Sequence, residues 1–112
     1  GDEKEYYIYN GDNNLIKGYV VSTSDNTENI KEEHIYDGKN LVKSIYPTYL
    51  TSTFEYNQKG QVVKEIEKQD FSKESEYIEK TYFYQKDKLV KRIETKFPQK
   101  ISDEYRFEYI EG

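Results

Sequence analysis

The side chains of this 112-residue chain that could do chemistry are one histidine, several acidic pairs and one run of short polar residues. His34 is the only histidine, and a lone imidazole suits a general base. Its position argues for packing instead. It fills the slot that Tyr7, Phe54, Tyr82 and Phe107 fill in comparable segments, so it reads as one ring standing in for another. No cysteine is present, which rules out disulfides, thiolate zinc sites and thiol nucleophiles. No serine sits in a Gly-x-Ser-x-Gly elbow. The pairs Glu32-Glu33, Glu65/Glu67 and Asp103-Glu104 have the residue types of a glycosidase acid and base. Such pairs need a dry cleft to split their pKa values, and here they read as solvated strand faces. Asn10-Gly11-Asp12-Asn13-Asn14 places oxygen ligands at alternate positions but lacks the glycine offset and distal glutamate of a calcium loop. Turn chemistry explains the same residues. Gly38 and Gly60 read as turn glycines, since no helix follows to make a phosphate cradle. The expectation is a protein that is not an enzyme and has no cofactor and no metal site.

Aromatic residues are the remaining candidates. Thirteen tyrosines and five phenylalanines recur in register, with Tyr9, Tyr36, Tyr56, Tyr84 and Tyr109 at equivalent places. Aromatic rows on a sheet can stack sugars or clamp peptides, so these five are the candidate ligand contacts. The competing reading is that tyrosine builds the core of a chain in which only 34% of residues are hydrophobic and 35% are charged.

The elements that carry these tyrosines are hairpins. The shared form is aromatic-x-Tyr, a short polar turn, then apolar-apolar-Lys-x-apolar. It runs from Tyr7-Ile8-Tyr9 to Leu15-Ile16-Lys17-Gly18-Tyr19, and from His34-Ile35-Tyr36 to Leu41-Val42-Lys43-Ser44-Ile45. It recurs from Phe54-Glu55-Tyr56 to Val62-Val63-Lys64-Glu65-Ile66, and from Tyr82-Phe83-Tyr84 to Leu89-Val90-Lys91-Arg92-Ile93. A fifth first arm begins at Phe107-Glu108-Tyr109. Aromatics two apart share one face of a strand, and the second arms are rich in residues that favour strands. Apolar residues at i, i+3, i+4 and i+7, the helical signature, are missing. Turns rich in Asn, Asp and Gly close the hairpins, with loops expected to run longer than two residues. Polar connectors at 22–29, 47–52, 69–76 and 98–103 join them, and Pro47 and Pro98 mark strand ends. The predicted fold is all-β: one domain over residues 1–112, an antiparallel meander of about eight or nine strands built from four to five repeated hairpins. Two sheet shapes fit. One curves and partly closes on itself, which handles the edges better and is preferred. The other is a nearly single layer wetted on both faces. The recurrent Lys17, Lys43, Lys64 and Lys91 are expected to lay their stems along neighbouring rings.

Charge bounds the partners. Seventeen basic and twenty-two acidic residues leave a net charge of −5, with the two signs interleaved. No basic stripe exists for nucleic acid. No apolar run approaches the roughly 20 residues of a membrane-spanning helix. The sequence has no methionine and starts at Gly1, which suits a processed chain with Gly1 as a tag-cleavage scar and leaves room for an export signal or lipid anchor in a precursor.

The blocks around Tyr9, Tyr36, Tyr56 and Tyr84 resemble the YD or RHS-type repeat, roughly Tyr-x-Tyr-Asp-x-x-Gly-x-Leu. Tyr36-Asp37 with Leu41, and Tyr56-Asn57 with Gly60 and Val62, match it best. The motif is degenerate, but the likeness covers most of the chain. Similar short hairpin runs occur in secreted proteins and lipoproteins of Bacteroidetes, and the Lys-, Asn-, Ile- and Tyr-rich composition agrees with an AT-rich bacterial genome. The resemblance implies a scaffold and transfers no catalytic residue. It leads to the expectation of an exported bacterial module, at the cell surface or in the periplasm, that binds a protein or glycan or serves as structure. Two alternatives stand beside it: an intracellular, immunity-type protein that binds through its acidic surface, and a carbohydrate-binding module that uses part of the tyrosine ladder.

Overall fold

The computed structural model describes residues 2–111. Gly1, and with it the reading of a tag scar, lies outside the described residues. Nine strands follow one another: β1 (Glu3–Tyr9), β2 (Leu15–Ser22), β3 (Glu28–Asp37), β4 (Asn40–Tyr46), β5 (Leu50–Tyr56), β6 (Val62–Gln69), β7 (Tyr77–Gln85), β8 (Lys88–Phe97) and β9 (Ile101–Arg106). They form one antiparallel sheet in sequence order. There is no helix among the described residues. Each strand contacts only its sequence neighbours, and β1 does not meet β9. The sheet is therefore open and one layer thick.

It is not flat. The radius of gyration is 17.8 Å, against about 13 Å for a compact domain of this length. The thinnest dimension is still 29 Å, far more than a flat layer would occupy. Neighbouring strands rotate by roughly 20–25°, so eight successive pairings turn the sheet by about half a circle. The curvature expected from the sequence is present as twist, without closure.

Loop lengths depart from expectation at two hairpins. Asp37 pairs with Asn40 and Gln85 with Lys88, so these loops hold two residues each. In both, the first arm runs one residue past its tyrosine before turning. Gly38 takes a positive φ of 62°, and Lys86 and Asp87 take 50° and 65°, as tight hairpins of this hand require. The other two hairpins use longer loops built on an asparagine. Asn10 Oδ1 accepts from the backbone N–H groups of Asp12 (2.9 Å) and Asn14 (3.0 Å). Asn57 Oδ1 accepts from those of Lys59 and Gln61, both at 3.0 Å. The oxygen-rich loop at Asn10 thus spends its first side-chain carbonyl on its own backbone. Pro47 and Pro98 follow β4 and β8, but β5 and β9 begin sooner after them than the connectors suggested.

The faces are distinct. Paired residues share a face and alternate residues along a strand do too. Gly18, Val20, Ser44 and Ser52 are the buried residues, and register places them all on the face that carries His34. Lys17, Lys43, Lys64 and Lys91 each neighbour such a position in sequence and lie on the opposite face. With no second layer, only small residues become buried, covered by larger neighbours that lean over them. Tyr7 lies over Gly18 in this way: a Cβ there would sit 3.3 Å from Tyr7 Cδ1 and 3.1 Å from Glu32 Cγ.

Candidate functional site

The five candidate tyrosines occupy one structural position. In each complete hairpin the register shifts at this residue, between Ile8 and Tyr9, Ile35 and Tyr36, Glu55 and Tyr56, and Phe83 and Tyr84. Each tyrosine pairs with the first apolar residue of its second arm: Leu15, Leu41, Val62 or Leu89. The second apolar residue is the extra one of a β-bulge, which sharpens local twist. That twist separates successive hairpins at their turn ends. Pairing of β6 with β7 stops at Lys64 and Thr81, and pairing of β4 with β5 at Lys43 and Thr53. Beyond those points the first apolar residue of a second arm has no strand partner on its far side.

The tyrosine of the next hairpin fills that gap. Tyr56 donates its hydroxyl to the Leu41 carbonyl at 2.6 Å, and Tyr84 to the Val62 carbonyl at 2.7 Å. Tyr109 donates to the Leu89 carbonyl at 2.8 Å. Burial raises the hydroxyl pKa of Tyr56 and of Tyr84, which keeps both protonated as donors. Tyr9 is 57% exposed and Tyr109 is 55% exposed, so the outermost two rings of the ladder are the most open to a ligand. Sequence reading found the ladder but not the role of the hydroxyl. The signal was present: the equivalent residue is Tyr in all five arms, whereas the aromatic two places earlier varies among Tyr, His and Phe.

His34 is more than a ring in a ring's place. Its Nε2 lies 2.8 Å from Glu32 Oε1 and its Nδ1 lies 2.8 Å from Ser44 Oγ. Tyr46 packs edge-on at 5.9 Å. A carboxylate only accepts, so Nε2 carries a proton, and in the neutral ring Nδ1 accepts from the Ser44 hydroxyl. These contacts have the residue types of a nucleophile, base and orienting acid. Ser44, however, is only 4% exposed. The arrangement ties a buried hydroxyl into the sheet.

A polar row continues along this face. Ser44 pairs with Ser52, Ser52 with Glu67, and Glu65 with Lys80. Lys80 Nζ sits 2.7 Å from Glu67 and 3.6 Å from Glu94, and Arg92 lies 3.6 Å from Glu94 and 4.6 Å over the Tyr105 ring. Tyr82 donates to Glu65 at 3.0 Å. Burial, reinforced by the Glu67 hydrogen bond, holds the Glu65 carboxyl above its ordinary range. Burial pushes Glu67 the same way, but its hydrogen bonds to Lys80 and Glu65 prevail and lower it. Burial and the adjacent Glu65 carboxylate push the Tyr82 hydroxyl well up. Of the acidic pairs noted in the sequence, Glu65 and Glu67 are thus brought together with a lysine. Glu32 and Glu33 point to opposite faces, and Asp103 and Glu104 lie on the exposed edge strand β9. No cluster of three or more His, Asp or Glu residues that would hold a metal occurs among the described residues.

At the connector end, away from the ladder, a groove of about 360 Å³ is lined by Tyr49, Leu50, Tyr77, Phe97 and Lys96. Tyr77 and Phe97 stack there at 4.7 Å, and Tyr49 is 60% exposed. No helix among the described residues is long and apolar enough to cross a membrane. Comparison of the chain with models of protein families and with curated proteins gives no match.

Proposed function

We propose that the domain is a non-catalytic binding or structural module of an exported bacterial surface protein, assembled from YD-like hairpins. One observation carries the reading. The polar groups of the His34 face are spent on one another, while the exposed apolar side chains gather at the two sheet edges. Tyr6, Tyr7, Ile8 and Tyr9 lie along β1, and Ile101, Tyr105, Tyr109 and Ile110 lie along β9 and the segment after it. Exposed apolar side chains beside unpaired strand edges suit contact with other chains. Surface labelling of intact cells of the encoding organism tests the export reading. Labelling of the native protein supports it. Recovery solely from the soluble cytoplasmic fraction contradicts it and favours the immunity-type alternative. Turnover above background on hydrolase substrates would overturn the non-catalytic reading.

A second reading has its own observation. The groove at Tyr49, Tyr77 and Phe97 offers aromatic faces beside Lys96 and Glu67, the combination that sugars stack on and bond to. A glycan array with uniformly flat responses would remove it.

A further inference from the structure

The last first arm has no second arm within this sequence. Phe107-Glu108-Tyr109 repeats the triplet Phe54-Glu55-Tyr56 residue for residue. Two hydrogen bonds hold it beside β8. The Phe107 backbone N–H donates to the Val90 carbonyl at 3.0 Å, and Tyr109 makes its hydroxyl bond to Leu89. Lys88 Nζ also caps the Tyr109 ring at 5.0 Å. The arm is thus positioned as the other first arms are, yet its outer side is unpaired.

Its next residue also differs. Asn10, Asp37, Asn57 and Gln85 follow the other tyrosines and start the turns, whereas Ile110 follows Tyr109 and is 94% exposed. A β-branched residue favours continued strand over a turn. The chemistry of the missing neighbour is set by the identical triplet. Tyr56 pairs with Val62, Glu55 with Lys64, Phe54 with Glu65 and Thr53 with Ile66. Lys64 lies 3.8 Å from Glu55. The next pairs extend the match, because the strand that places Lys64 opposite Glu108 places Lys68 opposite Glu104.

We propose that the outer edge of β9 and residues 107–109 receive an antiparallel strand of the form apolar-apolar-Lys-x-apolar-x-Lys from another polypeptide, with its first lysine opposite Glu108 and its second opposite Glu104. This is strand addition to an open sheet edge, with main-chain bonds giving affinity and the lysines setting register. It rests on the reading of the domain as an interaction module and names the partner's chemistry.

The test is a fluorescence-anisotropy titration of the whole chain with a labelled peptide of sequence VVKEIEKQ, the sequence of β6. Saturable one-to-one binding is expected, with backbone amide shifts on Ile101–Glu111. The peptide VVEEIEKQ should bind about fivefold more weakly, since like charges then face each other, and the Glu108→Lys chain should recover the loss. Absence of saturation at millimolar peptide, indifference to the charge swap, or amide shifts confined to Glu3–Tyr9 would each overturn the assignment. Such a result removes the β9 edge alone. The module reading itself fails separately, on the labelling and turnover assays.

Discussion

The Tyr84 hydroxyl and the Val62 carbonyl, 22 residues apart in sequence, meet at 2.7 Å across the gap between two hairpins. Tyr56 and Leu41 repeat the relationship. A bulge in each hairpin twists the strands apart and strips a carbonyl of its ladder partner. An unpaired backbone carbonyl removed from water costs about 1–3 kcal/mol. The next tyrosine supplies the donor, so twist and hydrogen-bond satisfaction are reconciled by one side chain. The tyrosines therefore couple hairpins that share no apolar core, which fits a chain with so few aliphatic residues.

The terminal positions should behave differently from the central ones. Tyr9 has no preceding hairpin to bond and is largely exposed. Tyr9→Phe should shift the urea midpoint by less than the equivalent of about 0.5 kcal/mol. A loss as large as at Tyr84 would show that the ring, and not the hydroxyl bond, matters at this position.

His34 and Ser44 should prove coupled. His34→Phe keeps a ring but leaves the buried Ser44 hydroxyl without its partner, an expected loss of about 1–2 kcal/mol. Adding Ser44→Ala should return part of that loss, and a double-mutant cycle measures the coupling. Strict additivity would mean that the ring alone counts.

Glu65 should make stability depend on pH. Its folded pKa is raised, so the carboxyl costs nothing while protonated in both states and opposes folding once pH rises through the folded value. Glu65→Gln keeps an acceptor for Tyr82 and removes the ionisation. The variant should match the native chain near pH 3 and melt higher near pH 7. Glu67, whose pKa is lowered, acts in the opposite sense. Its contribution is present above the ordinary glutamate range and fades as pH falls through the folded value. Glu67→Gln should accordingly lower the melting temperature near pH 7. A Glu65→Gln chain less stable at pH 7 would contradict the assignment.

Lys91 tests the opposite face. Its Nζ lies 4.5 Å from the centroid of the Phe83 ring, its cross-strand partner. Lys91→Met keeps the apolar stem and removes the charge, and should cost about 0.5 kcal/mol in chemical denaturation. An unchanged midpoint would reduce the contact to simple packing.

Much of this architecture is legible in the sequence because strand signals are local. Tyr82-Phe83-Tyr84 and Leu89-Val90-Lys91 fall in β7 and β8, and the prolines fall just after β4 and β8. The stacking of recurrent lysines on rings was also readable, since Lys17 and Lys91 need only a neighbour on their own face. The hydroxyl bonds were not. Tyr84 meets Val62 only because a bulge and an inter-hairpin gap set the relative phase of two units, and neither leaves a residue signature. The partners of His34 lay between these cases. Once Gly38-Lys39 is known to be a two-residue turn, register alone brings Ser44 opposite His34. The expectation of longer loops concealed that pairing.

The most direct test of the hairpin-coupling account is urea denaturation of the Tyr56→Phe, Tyr84→Phe double variant. Both rings stay and only two hydroxyls are lost. The account predicts a loss of about 2 kcal/mol with near-additive single-variant contributions, because the two bonds share no partner. A double variant as stable as the native chain would show that the tyrosine hydroxyls do not hold the hairpins together.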